Sequence, residues 1–201
     1  MSARKSIGGF VLRMTLFYAL FAAPWPGVQE AYSATYRAAA SLLFASFGDG
    51  GTVRFEALSG QDGKFDTEII FGHRRTNIEG RLPNNSRVSG YLPTIQVLAL
   101  VLATPIPWSR RWKALCWGLI LVNAFVALRM EIRLLFYFSA ESPMHLYQLS
   151  PFWYEALGRT YEIIGYGLPM TFIAPIFIWI FVTFRREDME HLIGSRASHA
   201  S

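Results

Sequence analysis

The sequence contains few charged residues and only one cysteine, and these shortages restrict the kind of protein it encodes. Asp, Glu, Lys and Arg make up 16% of the 201 residues, whereas a soluble domain contains about 25%. The single cysteine, Cys116, excludes an intramolecular disulfide framework and a cysteine-based zinc site. The sequence also lacks internal repeats, low-complexity tracts and a glycine-rich phosphate loop. A disulfide-stapled domain, a repeat array and a phosphate-loop nucleotide-binding protein are therefore excluded.

Apolar residues take the place of the missing charge. Hydrophobic residues make up 52% of the chain and aromatic residues 15%, which excludes disorder, a collagen-like fibre and a nucleic-acid-binding tail. The formal net charge of +5 requires no nucleic acid, because membrane proteins carry excess Lys and Arg in their cytoplasmic loops. The composition predicts the lipid bilayer as a partner and no nucleic acid.

Four apolar runs predict four transmembrane helices, each near the roughly 20 residues that a span needs. They cover residues 7–26, 91–107, 114–129 and 163–184, and the apolar character of the third continues to Phe138. The first run also fits a signal peptide, but Ala22-Ala23-Pro24 is a poor cleavage site, which favours an uncleaved anchor. The predicted organisation is an anchor (1–26), an extracytoplasmic segment (27–90), a three-helix membrane core (91–184) and a cytoplasmic tail (185–201).

Basic residues in the short connecting segments predict the orientation of these helices. The clusters are Arg4, Lys5 and Arg13; Arg110, Arg111 and Lys113; and Arg185 and Arg186. Four passes place all three clusters on one side of the membrane, which is then the cytoplasm. Residues 27–90 and 129–162 lie outside, and both termini are cytoplasmic. The predicted location is the inner (cytoplasmic) membrane, with several passes.

The long outer segment contains two periodic patterns. Residues 28–47 place apolar and aromatic side chains every three or four positions, which predicts an amphipathic helix at the outer interface. Residues 52–58 and 65–71 alternate in polarity and predict a β-hairpin. The polar stretch 72–89 is typical of a solvated loop. The expected fold class is an all-α membrane protein with four transmembrane helices, an outer amphipathic helix and a small β-hairpin.

Three candidate residues fall on the predicted outer face: Ser89, Arg129 and His145. Arg129 ends the third apolar run, where an ionisable side chain is costly unless it is paired or functional. The alternatives for it are snorkelling to the headgroups and pairing with Glu131, Glu141 or Glu162. A lone His145 is more often structural, and the two outer histidines lack the dense ligand cluster of a metal site. We predict no metal and no cofactor, and interpret Cys116 as a packing residue.

The polar positions of residues 88–184 follow a definite order. Val88-Ser89-Gly90 begins the second apolar run, the basic loop follows, Asn123 and Arg129 lie on the third run, and His145 precedes the last. This order resembles the exosortase/archaeosortase family, transpeptidase-like membrane enzymes that process carboxy-terminal sorting signals outside the cytoplasmic membrane. That family carries a cysteine in a Cys-Ser-Gly-like motif, and Val88 stands at the cysteine position.

The resemblance leads to two functional hypotheses. The first is a non-catalytic membrane protein with an exosortase-like scaffold, which acts as an accessory or assembly subunit and binds other membrane subunits through its outer segment. The second is a membrane-embedded transpeptidase or protease, with Ser89 as nucleophile, His145 as base and Arg129 as oxyanion support. The replacement of the cysteine by Val88 favours the first hypothesis, because valine cannot act as a nucleophile.

Overall fold

The chain folds into six α-helices and a four-stranded sheet within the described residues of a computed structural model, which are 3–48, 50–58, 64–74, 78–139 and 147–184. The helices are α1 (Ala3–Ala22), α2 (Val28–Phe44), α3 (Leu92–Ala103), α4 (Trp108–Ser139), α5 (Pro151–Thr160) and α6 (Leu168–Thr183). The strands are β1 (Ser46–Phe47), β2 (Gly51–Ala57), β3 (Thr67–His73) and β4 (Glu79–Asn84). Two π-helical turns, Arg87–Tyr91 and Tyr161–Tyr166, lead into α3 and follow α5.

Helix α4 contributes to both apolar clusters of the chain, whereas α1 packs on α3. The 32 residues of α4 correspond to about 48 Å at 1.5 Å per residue. Its first half joins α3 and α6 in one apolar cluster, which contains Val97, Val101, Ala114, Leu115 and Val122. Gly118 lets α3 approach closely, because a Cβ at this position would lie 2.8 Å from Val97 Cγ1.

The second half of α4 supports the sheet and α2. Val53, Phe55, Ile69 and Phe71 point from one face of the sheet into a second apolar cluster. That cluster is completed by Ala40 and Phe44 of α2 and by Met130, Leu134 and Phe138 of α4. Aromatic rings dominate the contacts, as where Phe138 stacks on Phe47 at 5.2 Å and meets Phe71 edge-on at 5.6 Å. The outer layer is therefore docked on the same helix that forms the inner core.

The sheet is antiparallel, in the order β1-β2-β3-β4. Phe55 pairs with Ile69, and Ile69 with Leu82 on the other side. The turn between β1 and β2 uses Gly48 and Gly50, whose φ angles of 58° and 94° lie in the left-handed region that favours glycine. Edge strand β4 makes two ion pairs, Arg81–Glu68 with the adjacent β3 at 3.4 Å and Arg54–Glu79 with β2, one strand further on, at 2.8 Å.

The structure corrects the predicted outer segment in two places. The hairpin is part of a four-stranded sheet, and residues 72–89 are not a solvated loop because they contain β4 and the beginning of the π-helical turn Arg87–Tyr91. Strand β4 (Glu79–Asn84) has low intrinsic strand propensity, with glycine and proline inside it. Cross-strand pairing with β3 overrides that propensity. Helix α2 begins at Val28 as predicted but ends at Phe44, because Ser46 and Phe47 pair with β2.

The predicted spans map onto helices with different ends. The third run is one long helix to Ser139, and the fourth is broken at Gly167, whose ψ of 112° interrupts the helix before Pro169. Within the described residues no single helix is both long enough and apolar enough to cross a membrane. One bent pair, Pro151–Gly165 with Pro169–Thr183, meets the criterion jointly across a 75° bend. The four spans thus remain a prediction.

Candidate functional site

Two arginines of α4, Arg129 and Arg133, organise the polar site. They are four residues apart, so they lie on one face of the helix. They occupy the junction between the two apolar clusters, since Val122 belongs to the inner cluster and Met130 to the outer one. In the described part of the chain neither guanidinium has a carboxylate within salt-bridge distance. Their partners are instead main-chain carbonyls, a hydroxyl and an amide.

Arg129 closes the break between α5 and α6. Its side chain is only 9% exposed, and its Nε donates to Ile164 O at 2.9 Å. Nη1 donates to Thr171 Oγ1 at 2.9 Å, and Nη2 to Gly165 O at 3.5 Å. The carbonyls near a helix end have no partner in their own helix, and a cation there is favoured by the helix dipole. Arg129 therefore holds the end of the π-helical turn and the start of α6 together.

Arg133 connects the helices to the sheet through Asn84. Its Nη1 donates to Asn84 Oδ1 at 2.9 Å, and its Nη2 lies 3.4 Å from Pro83 O. Asn84 is only 2% exposed and ends β4. Its Nδ2 lies 3.4 Å from the hydroxyl of Tyr36 on α2, and its Oδ1 also accepts from Ser89 Oγ at 2.9 Å. The buried amide of Asn84 thus joins α2, β4, the π-helical turn before α3 and α4.

The Asp66 carboxylate likewise joins separate segments, because it binds Ser86 directly before the π-helical turn that leads into α3. The carboxylate accepts from Ser86 N at 2.9 Å and Ser86 Oγ at 2.6 Å, and Thr67 Oγ1 donates to it at 3.0 Å. A helix N-terminus has unpaired N–H groups and partial positive charge, which a carboxylate satisfies. Asn85 Oδ1 accepts from Val88 N at 3.1 Å. The stretch around Val88 and Ser89 is therefore held on both sides by side chains of the outer layer.

Two half-buried tyrosines of α2, Tyr32 and Tyr36, face this network. Burial raises the pKa of Tyr32 to about 12 and raises the pKa of Tyr36 further. Both phenols are therefore protonated at physiological pH and act as neutral hydrogen-bonding groups. Tyr32 also explains the glycine of the Val88-Ser89-Gly90 stretch, because a Cβ on Gly90 would overlap its hydroxyl.

The predicted residues Ser89 and Arg129 line one small cavity between α2, α4 and the π-helical turn. Its lining residues are Tyr36, Ser89, Val126, Arg129, Met130, Arg133 and Gly165. Its volume is about 20 Å³, which has room for a single water molecule. An acyl or peptide group does not fit there in this conformation. The third predicted residue, His145, lies outside the described residues.

Other predicted positions lie away from this cavity. Cys116 is exposed in the first half of α4, and Asn123 is exposed on α4, with its Nδ2 donating to Leu119 O at 2.8 Å. No group of three or more His, Cys, Asp or Glu side chains suited to a metal ion occurs among the described residues. Sequence reasoning missed Asn84, Asp66 and Thr171 as partners. Their roles depend on contacts between segments far apart in the sequence, and only the polar Asn84-Asn85-Ser86 run gave a signal.

A comparison with protein families decides what kind of protein carries this arrangement. The family model for exosortase H-associated membrane proteins matches residues 4–186. The chain belongs to this family. It is therefore an exosortase-associated membrane protein, which confirms the predicted link to exosortases and to a membrane. No curated protein and no solved structure matches the chain significantly.

Proposed function

We propose that this exosortase-associated membrane protein is a non-catalytic accessory subunit that binds an exosortase within the inner membrane. Four helical segments cross the bilayer in this proposal, with both termini in the cytoplasm and α2 and the sheet outside. The family name supports the membrane context and an association with an exosortase.

One observation carries the proposal. The residues at the positions where an exosortase would have its catalytic groups make hydrogen bonds that stabilise the fold. Val88 replaces the nucleophile, and its N–H is bound by Asn85. The Ser89 hydroxyl donates to Asn84. A nucleophilic hydroxyl needs a base as its hydrogen-bond partner, and an amide oxygen is a poor base. Arg129 directs its donors at Ile164, Gly165 and Thr171. Ser89 and Arg129 therefore stabilise the fold by hydrogen bonds to other segments.

The first half of α4 supports the proposed orientation. Arg110, Arg111 and Lys113 lie in its first two turns, beside the exposed indoles of Trp108, Trp112 and Trp117. Tryptophan is enriched at the headgroup level, and basic residues are enriched on the cytoplasmic side.

A groove between α2 and α4 is the surface we assign to the exosortase partner. We call it the α2–α4 groove; it is lined by Tyr32, Thr35, Tyr36, Ala39, Ala40, Leu43, Phe44, Asn123, Val126, Ala127 and Met130. Its volume is about 200 Å³. Small residues such as Ala39, Ala40 and Ala127 permit the close approach of another helix. Asn123 adds an amide that gains a hydrogen bond from a neighbouring helix in an apolar environment.

Co-purification of the full-length chain with its exosortase from mild detergent tests this assignment. Ala39→Phe fills the groove and is expected to reduce the recovered exosortase at least fivefold. Ala38→Phe is the matched control, because Ala38 is exposed on the same helix and does not line the groove. Retention in the control and loss in Ala39→Phe support the proposal. Equal recovery with both variants contradicts it.

The second candidate function is a transpeptidase or protease that uses Ser89, Arg129 and His145. One observation favours it, namely that Ser89 and Arg129 line the same cavity. Processing of a carboxy-terminal sorting signal by the isolated chain distinguishes the two functions. Processing that is abolished by Ser89→Ala and by His145→Ala would establish the enzyme and overturn the accessory role.

A further inference from the structure

A second groove runs along the opposite side of α4, against α6. Its first part has a volume of about 440 Å³ and includes Arg110, Lys113 and Trp117. Its second part has a volume of about 430 Å³ and includes Phe125 and Phe177. Leu121 and Phe181 line both parts, so the two parts form one continuous α4–α6 groove.

The charge in this groove is confined to one end. Arg110 and Lys113 are the ionisable side chains among the described lining residues, and both lie in the first two turns of α4. The second part is lined by apolar side chains only, and among the described residues no carboxylate lines either part. Phe177 and Phe181 are 67% and 78% exposed, and Trp117 is 60% exposed. The groove is therefore open to the surroundings along its length.

The length of the groove matches one leaflet of a bilayer. Lys113 and Phe125 are twelve residues apart on α4, which is about 18 Å along the helix axis. Half of a hydrocarbon core of about 30 Å is about 15 Å. A ligand that fits this shape has an anionic group at one end and an apolar chain about one leaflet long. Basic pockets between membrane helices on the cytoplasmic side bind anionic lipid headgroups.

We infer that the α4–α6 groove binds one anionic phospholipid. Arg110 and Lys113 bind its phosphate, and an acyl chain lies over Leu121 and Phe181 toward Phe125. Arg110 also donates to Thr183 O at 3.3 Å, which holds its guanidinium at this end of the groove. The inference rests on the membrane placement of α4 and α6 given in the proposed function. It does not depend on the association with an exosortase.

Native mass spectrometry of the full-length chain in detergent tests the inference, with phosphatidylglycerol and phosphatidylcholine as probes. Each basic residue near an anionic lipid contributes about fivefold in affinity. Arg110→Ala/Lys113→Ala is therefore expected to weaken phosphatidylglycerol binding roughly 25-fold. Arg81→Ala/Arg159→Ala is the matched control, because it removes the same charge from two exposed sites outside the groove. That control should bind phosphatidylglycerol like the unmodified chain.

Two further variants keep the test decisive if the double variant unfolds. Lys113→Ala alone removes a side chain with no protein partner among the described residues and should weaken binding about fivefold. Ala174→Phe fills the apolar part of the groove without changing charge and should reduce binding of both lipids. Equal binding of the two lipids by the unmodified chain would overturn the inference. So would displacement of phosphatidylglycerol by millimolar inorganic phosphate, or unchanged binding in Lys113→Ala and Ala174→Phe.

Exosortase recovery from the same preparations separates this inference from the proposed function. Lys113→Ala should retain the exosortase while it loses lipid, because Lys113 does not line the α2–α4 groove. Loss of lipid with full exosortase recovery supports the lipid site. An exosortase helix seated in the α4–α6 groove would instead give loss of exosortase in Ala174→Phe and unchanged lipid binding, which overturns the inference.

Discussion

The two ends of α4 carry arginines that donate to main-chain carbonyls of neighbouring segments, but the two ends differ in exposure. Near the first end, Arg111 donates to Thr104 O and Ile106 O, both at 3.1 Å, beside exposed tryptophans. Near the second end, Arg129 donates to Ile164 O and Thr171 Oγ1 in the interior. Arg111 is half-buried. Arg129 is only 9% exposed and its acceptor Thr171 is fully buried, so the bonds of Arg129 are worth more.

The largest expected effect is therefore the loss of Arg129. Arg129→Ala leaves two carbonyls and a hydroxyl buried without their donor, which should cost about 3–5 kcal/mol. Arg129→Lys should give an intermediate loss, because an ammonium cannot reproduce the planar fork of donors. The measurement is the midpoint of thermal unfolding in detergent, followed by tryptophan fluorescence. Arg159→Ala is the control, since its exposed ion pair with Glu155 should contribute at most about 0.5 kcal/mol.

Equal unfolding midpoints for the unmodified chain, Arg129→Ala and Arg129→Lys would remove the distinction between the two ends of α4. The guanidinium would then contribute neither to the break between α5 and α6 nor to the docking of the outer layer.

A second test concerns the amide that joins the outer layer to the helices. Asn84→Ala removes the shared acceptor of Arg133 and Ser89 and the contact with Tyr36, at a cost of about 2–3 kcal/mol. Asn84→Asp keeps the acceptor and gains a charge attraction to Arg133, so it should be less harmful than Ala. Limited proteolysis should detect release of the sheet before loss of the helices. An alanine variant as resistant as the unmodified chain would contradict the role of Asn84.

The two half-buried tyrosines of α2 predict a loss of stability of the outer half at high pH. The folded pKa of Tyr32 is about 12 and lies above the ordinary value of 10.0. Its contribution is therefore complete below pH 10 and is lost as pH rises from 10 toward 12. Each such tyrosine should remove about 1.4 kcal/mol per pH unit in that window. Unfolding midpoints from pH 8 to 11.5 test this, with Tyr32→Phe expected to flatten the decline; an identical decline in that variant would refute it.

The smallest expected effect is at the exposed end of α4. Arg111→Ala should cost about 1 kcal/mol or less, because Thr104 O keeps its bond from Ile106 N at 2.9 Å and the half-buried carbonyl of Ile106 regains a partner from its surroundings. Its unfolding midpoint should lie much closer to that of the unmodified chain than the midpoint of Arg129→Ala. A loss as large as that of Arg129→Ala would show that the first end of α4 is as isolated from water as the second.

The sequence predicts those parts of the fold that depend on local periodicity. The start of α2 at Val28 and the strands near Val53 and Ile69 follow from apolar spacing of 3.6 and 2 residues. Strand β4 and the break at Gly167 do not, because they depend on pairing with β3 and on the capping of free carbonyls by Arg129. Local sequence patterns do not indicate which distant segments of the chain contact each other.

The candidate site is also predictable only in part from the sequence. The position of Arg129 at the end of an apolar run is sufficient to mark it as paired or functional. Its acceptors are not predictable, because they are carbonyls of Ile164 and Gly165 and any residue type would supply the same atoms. Of the carboxylates considered as alternative partners, Glu131 and Glu162 do not lie within salt-bridge distance of Arg129, and Glu141 lies outside the described residues. Ser89 is placed beside Arg129 only by the packing of α3 on α4.

Edge strand β4 also limits how this protein can meet another chain. Pro83 has no N–H, and the charged side chains of Glu79 and Arg81 occupy the same short strand. Proline and charge on an edge strand discourage the addition of a foreign strand. A peptide, such as an extended sorting signal, would gain few ladder hydrogen bonds along β4. Recognition by strand addition is thus disfavoured at this edge, and helical surfaces are left as the better route to a partner.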